Sequence, residues 1–336
     1  GGIMLNEDIR RRLARLHLGR SDARALTADA IRRPTRASSN ATAGSLGEQQ
    51  WLAASHECEN ASGRHQRIRH PIDALWPKAQ PVIAEAMLGA PGACRPGSQS
   101  PAQTPPQSRP LDAAGSHPEL AALAQWFPHQ TLFLDLETCG FAGSMVFLVG
   151  LVRNDAGRLV IDQLLARTYA EERTVLQTLW QIAADHRVLV TFNGKSFDWP
   201  MVHDRSTRYH LGRDLRGQPA SGATVPQPDA GLSRDDARPE LVHCDLLHHA
   251  RRRWKGLLPN CRLQTLERYL CGRVRHDDLP GSLVPEAYHH FVRTGQTHQL
   301  GAILRHNALD LVTLAQLACR MLGGDATAVR PAAKSA

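Results

Sequence analysis

The sequence predicts an α/β domain built on a mixed five-stranded sheet flanked by helices, and three observations carry that expectation. Three closely spaced apolar segments, TLFLDLET, SMVFLVGLV and RLVIDQLLA, read as a strand meander. Strand-like and helix-period segments then alternate as far as residue 322, which adds crossover strands and covers both faces of the sheet. Acidic residues lie near the strand and helix ends of several of these segments, where they could converge on one edge of the sheet.

The chain's first third reads differently. Residues 1–115 hold few aromatics and much Arg, Ala, Ser, Pro and Gly, and end in the low-complexity run GAPGACRPGSQSPAQTPPQSRP. Such a segment buries too little apolar area to offset an ordering entropy of roughly 1–2 kcal/mol per residue. It is expected to be mostly disordered, with short helices near residues 7–16 and 81–88, and a chain starting near residue 112 is expected to fold. The domain is placed at 116–324. After the meander, residues 171–185 repeat Val175, Leu176, Leu179, Ile182 and Ala183 at one-face helical spacing. A strand follows at 188–192, then another helix. The polar, Pro/Gly-rich stretch 212–240 reads as a flexible insertion. LVHCDLL is a short strand, with helices near 245–254, 263–270, 285–294 and 298–322. Residues 325–336 read as a disordered tail.

Bulk properties exclude some classes. The 336 residues carry a net charge of +8 with 40 Lys plus Arg, which permits a phosphate-facing surface without establishing one. Seven cysteines with no C-x-x-C pair argue against a disulfide framework and for a reducing compartment. No apolar run approaches the ~18 residues a membrane span needs, and the start GGIMLNEDIRRRL has no apolar signal core. The expected location is the cytoplasm, with no membrane partner.

The acids are the chemical signal. Strand period places Phe133, Asp135 and Glu137 on one face, with the two carboxylates about 6–7 Å apart at Cα. Buried like charges this close repel and lose hydration, so a cation belongs between them; the bland alternative is a strand that ends at Leu136 with both acids in water. In the last helix Asp310 falls on the apolar stripe of Leu300, Ile303, Leu304, Leu311, Leu314, Leu317 and Met321, with His306 one turn earlier on the same face. An arginine salt bridge is the bland reading there. In VTFNGKSFDWP the Gly194-Lys195-Ser196 run sounds like a phosphate loop, but position 189 is leucine where a Walker loop needs its first glycine. What remains is a strand, a polar turn and Asp198 opening a helix, as a metal ligand or as a cap.

Taken in order, FLDLET, NGKSFD and HNALD resemble the three exonuclease motifs of the DEDD branch of the ribonuclease H-like superfamily. With CRLQTLERYL and DDLPGSLVPEAYHHFVRTG they are most similar to the YprB-type exonuclease domain, over about residues 130–322. The resemblance implies a ribonuclease H-like fold and a metal-dependent 3′→5′ exonuclease that acts on a single-stranded DNA or RNA end. It implies two Mg²⁺ or Mn²⁺ ions held by Asp135, Glu137, Asp198 and Asp310, with His306 as general base. One departure stands out: the histidine branch of the family has four residues between His and Asp, whereas His306 and Asp310 are separated by the three of the tyrosine branch. A structure-specific endonuclease and a silent nucleic-acid-binding module are the alternatives on the same fold.

Other residues are weighed beside these. Asn193 and Lys195 are candidate contacts to the substrate's sugar or phosphate. Arg251 and Trp254, within Arg251-Arg252-Arg253-Trp254-Lys255, could line a single-strand groove or close a solvated helix end. His203-Asp204 and His276-Asp277 lack the further ligands of a metal phosphohydrolase. His243, Cys244, His248 and His249 lack a second pair at zinc-finger spacing and read as strand-to-helix packing.

Overall fold

The computed structural model describes residues 48–89, 117–140, 143–211, 241–275 and 278–323. The helix expected at 7–16, the insertion 212–240, the tail 325–336 and the His276-Asp277 pair lie outside them.

The described residues begin with a short helix α1 (Glu48–Ala53), a hairpin of β1 (Ser55–Asn60) and β2 (Gly63–Pro71), and helix α2 (Ala79–Gly89). Helix α3 (Pro118–Trp126) starts with proline at its first turn, and the His117 ring caps it by accepting from the Glu119 N–H at 3.3 Å. The meander follows as β3 (Thr131–Thr138), β4 (Val146–Asp155) and β5 (Arg158–Leu165). Ala156 and Gly157, both at positive φ, form the two-residue turn between β4 and β5 that strand twist favours. Next come α4 (Glu172–Ala183), β6 (Val188–Thr191), α5 (Asp198–Arg208), β7 (Val242–Asp245) and α6 (Leu246–Trp254). Helix α7 (Leu263–Leu266) continues as a π-turn over Glu267–Cys271, and α8 (Val284–Thr294) leads into the long α9 (His298–Leu322).

The strands form one sheet in the order β1-β2-β5-β4-β3-β6-β7, antiparallel from β1 to β3 and parallel from β3 through β6 to β7. The mixed α/β class stands, but the sheet has seven strands rather than five. The two additional strands come from residues 55–71, which the sequence reading assigned to the low-complexity third. Trp51, Ile68 and Ile72 are buried in the common core, so the folded unit extends well before residue 116. The reason lies in GRHQRIRHP. Its arginines look like solvent-facing charge, yet Arg67 and Arg69 meet Asp162, which is fully buried on β5. The neutralising partner sits about a hundred residues away in sequence, where periodicity cannot reveal it.

Helix α9 packs against β3, β4, β5, α1 and α2 and is apolar nearly all round, as a buried helix must be. It therefore carries polar residues into the sheet only where a partner waits for them.

Candidate active site

Asp135 and Glu137 leave β3 on the face that α9 covers. Asp198 opens α5 just beyond β6, and α9 brings His306 and Asp310 to the same place. Convergence shows in the electrostatics. Burial pushes the Asp135 carboxyl well above its ordinary range, reinforced by the charges of Asp310, Glu137 and Asp198. Glu137 is raised in the same way by burial and then by Asp310, Asp198 and Asp278. Asp198 is pushed up to about 7 by burial and by the nearby Asp245. Beyond burial, the charges of Asp310 and Asp198 thus bear on both acids of β3, which calls for positive charge among them.

Part of that charge is built in. Arg275, just past the π-turn, forms an ion pair with Asp310 Oδ1, with Glu267 Oε2 at 2.6 Å and with Asp278 Oδ2 at 3.2 Å. Asp278 Oδ1 meets His306 Nδ1 at 2.9 Å, and His306 Nε2 lies 3.5 Å from Asp310 Oδ2. The three-residue spacing between His306 and Asp310 is one helical turn, and it stacks the imidazole on the carboxylate. Burial opposes charge on His306, but its hydrogen bond to Asp278 and the charges of Asp310 and Asp278 raise its pKa overall.

The NGKSFD turn is explained by packing. Asn193 adopts a left-handed backbone (φ 65°), which asparagine tolerates. A Cβ on Gly194 would lie 2.5 Å from the Thr191 side chain, so only glycine lets the turn fold back on its strand. Amides that a phosphate loop would aim at a ligand are occupied: Asn193 N–H and Lys195 N–H donate to the buried Asp245 at 2.8 and 3.2 Å.

The candidate substrate residues fare unequally. Asn193 and Arg251 are exposed. The Lys195 ammonium is engaged by Glu119 Oε1 at 2.6 Å. Trp254 is a correction: only 2% exposed, it is packed in the core with the Arg253 guanidinium 5.6 Å from its ring, and it offers no face for a base to stack on. In a helix end that mixes charge with one large aromatic, the ring faced inward because burying an indole outweighs leaving it in water.

Residues the sequence reading passed over complete the surroundings. Arg275, Asp278 and Glu267 hold His306 and Asp310. Asn307, buried between them on α9, donates to Asp135 Oδ2 at 2.8 Å. Its signal was present in HNALD: an asparagine on an apolar helix must meet a polar partner. A separate cluster of His117, Glu119 and His249 has ligand atoms within 4.8 Å of one another and could hold a metal ion. Glu119 Oε2 there meets His249 Nε2 at 2.9 Å. Burial works against the Glu119 charge, yet Lys195 and His249 hold its carboxyl below the ordinary range.

Residues 132–322 match the family model described as the RNase_H superfamily. The chain belongs to the RNase H superfamily. YprB of Bacillus subtilis (strain 168), an uncharacterized protein, is 35% identical to it over 192 residues, 56% of this chain and 41% of the relative. The chain therefore spans less than half of that relative's length. Among solved structures, the family B DNA polymerase from the hyperthermophilic archaeon Pyrobaculum calidifontis is similar with a TM-score of 0.41 and 19% identity, over 60% of this chain and 26% of that one. The RNase H-like domain is thus related to YprB, its fold is consistent with nuclease activity, and no described helix is long and apolar enough to cross a membrane.

Proposed function

We propose that the chain is a divalent-metal-dependent nuclease that removes nucleotides from the 3′ end of single-stranded DNA or RNA. The observation that carries this reading is the gathering of Asp135, Glu137, Asp198 and Asp310 at the end of the sheet, where burial and the neighbouring Asp310 and Asp198 charges push the Asp135 and Glu137 carboxyls up. Their oxygen-only donor set suits Mg²⁺ or Mn²⁺. Two such ions, when bound, would stabilise the charge that develops on the attacking and leaving oxygens of a phosphodiester.

The protein's own groups supply the proton chemistry. Asp278 occupies His306 Nδ1, which fixes the ring and leaves Nε2 facing Asp310 as the nitrogen that accepts a proton from water. Arg275 holds both Asp278 and Asp310, so the base and one ligand share a single anchor. Asn193 and Arg251, both exposed, are the residues of this chain proposed to meet the sugar–phosphate backbone.

The deciding experiment is digestion of end-labelled single strands and duplexes with Mg²⁺, Mn²⁺ or EDTA. Labelled strands should shorten stepwise from the 3′ end only with metal. Asp135→Ala and Asp310→Ala should each lower the rate about 10³-fold or more, and His306→Ala about 10²–10⁴-fold. Full activity of either aspartate variant refutes the site. Cutting of a closed circular single strand at a comparable rate assigns the same site to an endonuclease.

A further inference from the structure

We propose that Asn307 is the positioning residue for Asp135 and that Trp51, outside the segment matched by the family model, sets its orientation through Gln163. The inference rests on Asp135 being a metal-holding carboxylate.

The geometry is a single buried row across the sheet. Asp135 on β3 pairs with Gly150 on β4, Gly150 with Gln163 on β5, and Gln163 with Ile68 on β2. Paired residues face the same side, so Asp135 and Gln163 flank the position where Gly150 has no side chain. Asn307 descends from α9 into that gap. A Cβ on residue 150 would stand 2.1 Å from Asn307 Oδ1, so the bridge exists only because this strand position is glycine.

Four side chains span the row by hydrogen bonds. Trp51 Nε1–H donates to Gln163 Oε1 at 2.8 Å, and Gln163 Nε2–H donates to Asn307 Oδ1 at 2.9 Å and to the Leu304 carbonyl at 2.7 Å. Asn307 Nδ2–H then donates to Asp135 Oδ2 at 2.8 Å and to the Asp135 carbonyl at 3.3 Å. Amides can flip, and an unconstrained Asn307 could aim either its oxygen or its nitrogen at the acid. Here the ends decide the direction. Indole nitrogen only donates, so Gln163 must turn its oxygen to Trp51 and its amino group to Asn307. Asn307 must then offer its oxygen to Gln163 and its amino group to Asp135. A carboxylate only accepts, so the polarity imposed at Trp51 is the one the charged form of Asp135 requires. All four members are buried or half-buried, and a reversed amide would leave two oxygens facing each other without water. Oδ2 of Asp135 is thereby fixed, and Oδ1 is aimed by it.

The test uses the full chain and reads metal binding as well as cleavage. In Mn²⁺ titration calorimetry, Asn307→Ala should weaken binding about 10- to 100-fold, as loss of a hydrogen bond to a charged group implies. Trp51→Phe, which keeps an aromatic ring but removes the donor, should weaken it about threefold to tenfold. In ¹⁵N NMR of the wild type, Mg²⁺ should displace the Trp51 indole N–H resonance, and Asn307→Ala should abolish that displacement while the resonance remains. A purely structural role predicts lower melting temperatures in both variants with Mn²⁺ affinity unchanged, and that result overturns the proposal. If Trp51→Phe does not fold, an indole resonance of the wild type that ignores Mg²⁺ overturns it alone. Asp135→Asn separates the two readings. Wild-type Mn²⁺ binding in that variant removes the metal-site reading itself, whereas loss of binding there together with wild-type binding in Asn307→Ala and Trp51→Phe removes only the relay.

Discussion

Asp162 and Asp135 are acids of one sheet, two strands apart, that the protein treats in opposite ways. Asp162 is fully buried, and Arg67, Arg69 and Arg153 surround it at 2.5, 2.7 and 2.9 Å. Burial works against its charge, but Arg67 and Arg69 overcome it and hold the carboxyl at about 2. The buried Glu172 is likewise ion-paired with Arg205, and the buried Glu267 with Arg273 and Arg275. Asp135 has no such partners among the described residues: burial pushes its pKa up, and Asp310, Glu137 and Asp198 push it further. A chain with 40 Lys plus Arg had arginines enough to neutralise both places, and it neutralised one. Asp162 receives its cations during folding, whereas under the proposed function the acids at the end of β3 would receive theirs afterwards, from solution.

The largest expected effect breaks the structural half of that contrast. A chain beginning at residue 112 keeps Asp162 but loses Arg67, Arg69, Trp51 and the strand that covers the edge of β5. It should show no cooperative thermal transition by circular dichroism, whereas the whole chain should show one. A cooperative melt of the shorter chain within a few degrees of wild type would mean that β1 and β2 are ornaments on a self-sufficient sheet.

A pair of amide substitutions sharpens the contrast by giving opposite signs. Asp162→Asn leaves three arginines without their buried counter-charge and should destabilise by about 3–5 kcal/mol. Asp135→Asn removes one of four mutually repelling charges, and in EDTA it should stabilise by about 1.4 kcal/mol for each pKa unit of upward shift it relieves. Urea denaturation of both variants in EDTA checks this. If Asp135→Asn destabilises as Asp162→Asn does, the two acids are alike and the contrast fails.

How much of this could be read in advance follows from where the information sits. The meander, β6, β7 and the long α9 were legible because alternation and helical periodicity are local. Asp135, Glu137, Asp198, His306 and Asp310 stood out because polar groups at buried positions break those same local patterns. Helix α3 passed unread, although Pro118 after a capping His117 marks its start. Strand β2 could not be read, since its arginines are explained by Asp162 on another strand. Trp254 misled because a charged helix end says nothing about which way its single ring turns. Arg275 was invisible as a site residue for the same reason as β2, since it has meaning only beside Asp310, distant in sequence; Asn307 showed as a polar residue on an apolar helix, but its partner Asp135 did not.

The smallest expected effect measures the neutralised acid directly. Asp162 has a folded-state pKa of about 2 against an ordinary 3.8. Between those values the unfolded chain binds more protons than the folded one, so stability rises with pH across the window. The contribution is complete above about pH 4 and is lost as pH falls towards 2. Its size is the shift of nearly two units, about 2 kcal/mol. Other groups titrate near the same range, among them the buried His65, whose pKa burial lowers to about 4. They are common to wild type and Asp162→Asn and cancel in the difference between the two chains. The stability gap between wild type and variant should therefore be flat from pH 7 to about 4 and should narrow by about 2 kcal/mol at the acid end. What survives at low pH is the cost of three arginines packed around an uncharged group. A gap that widens towards acid, or narrows already between pH 7 and 5, would mean that Asp162 is not held as a carboxylate by its arginines, and the contrast with Asp135 would lose its reference point.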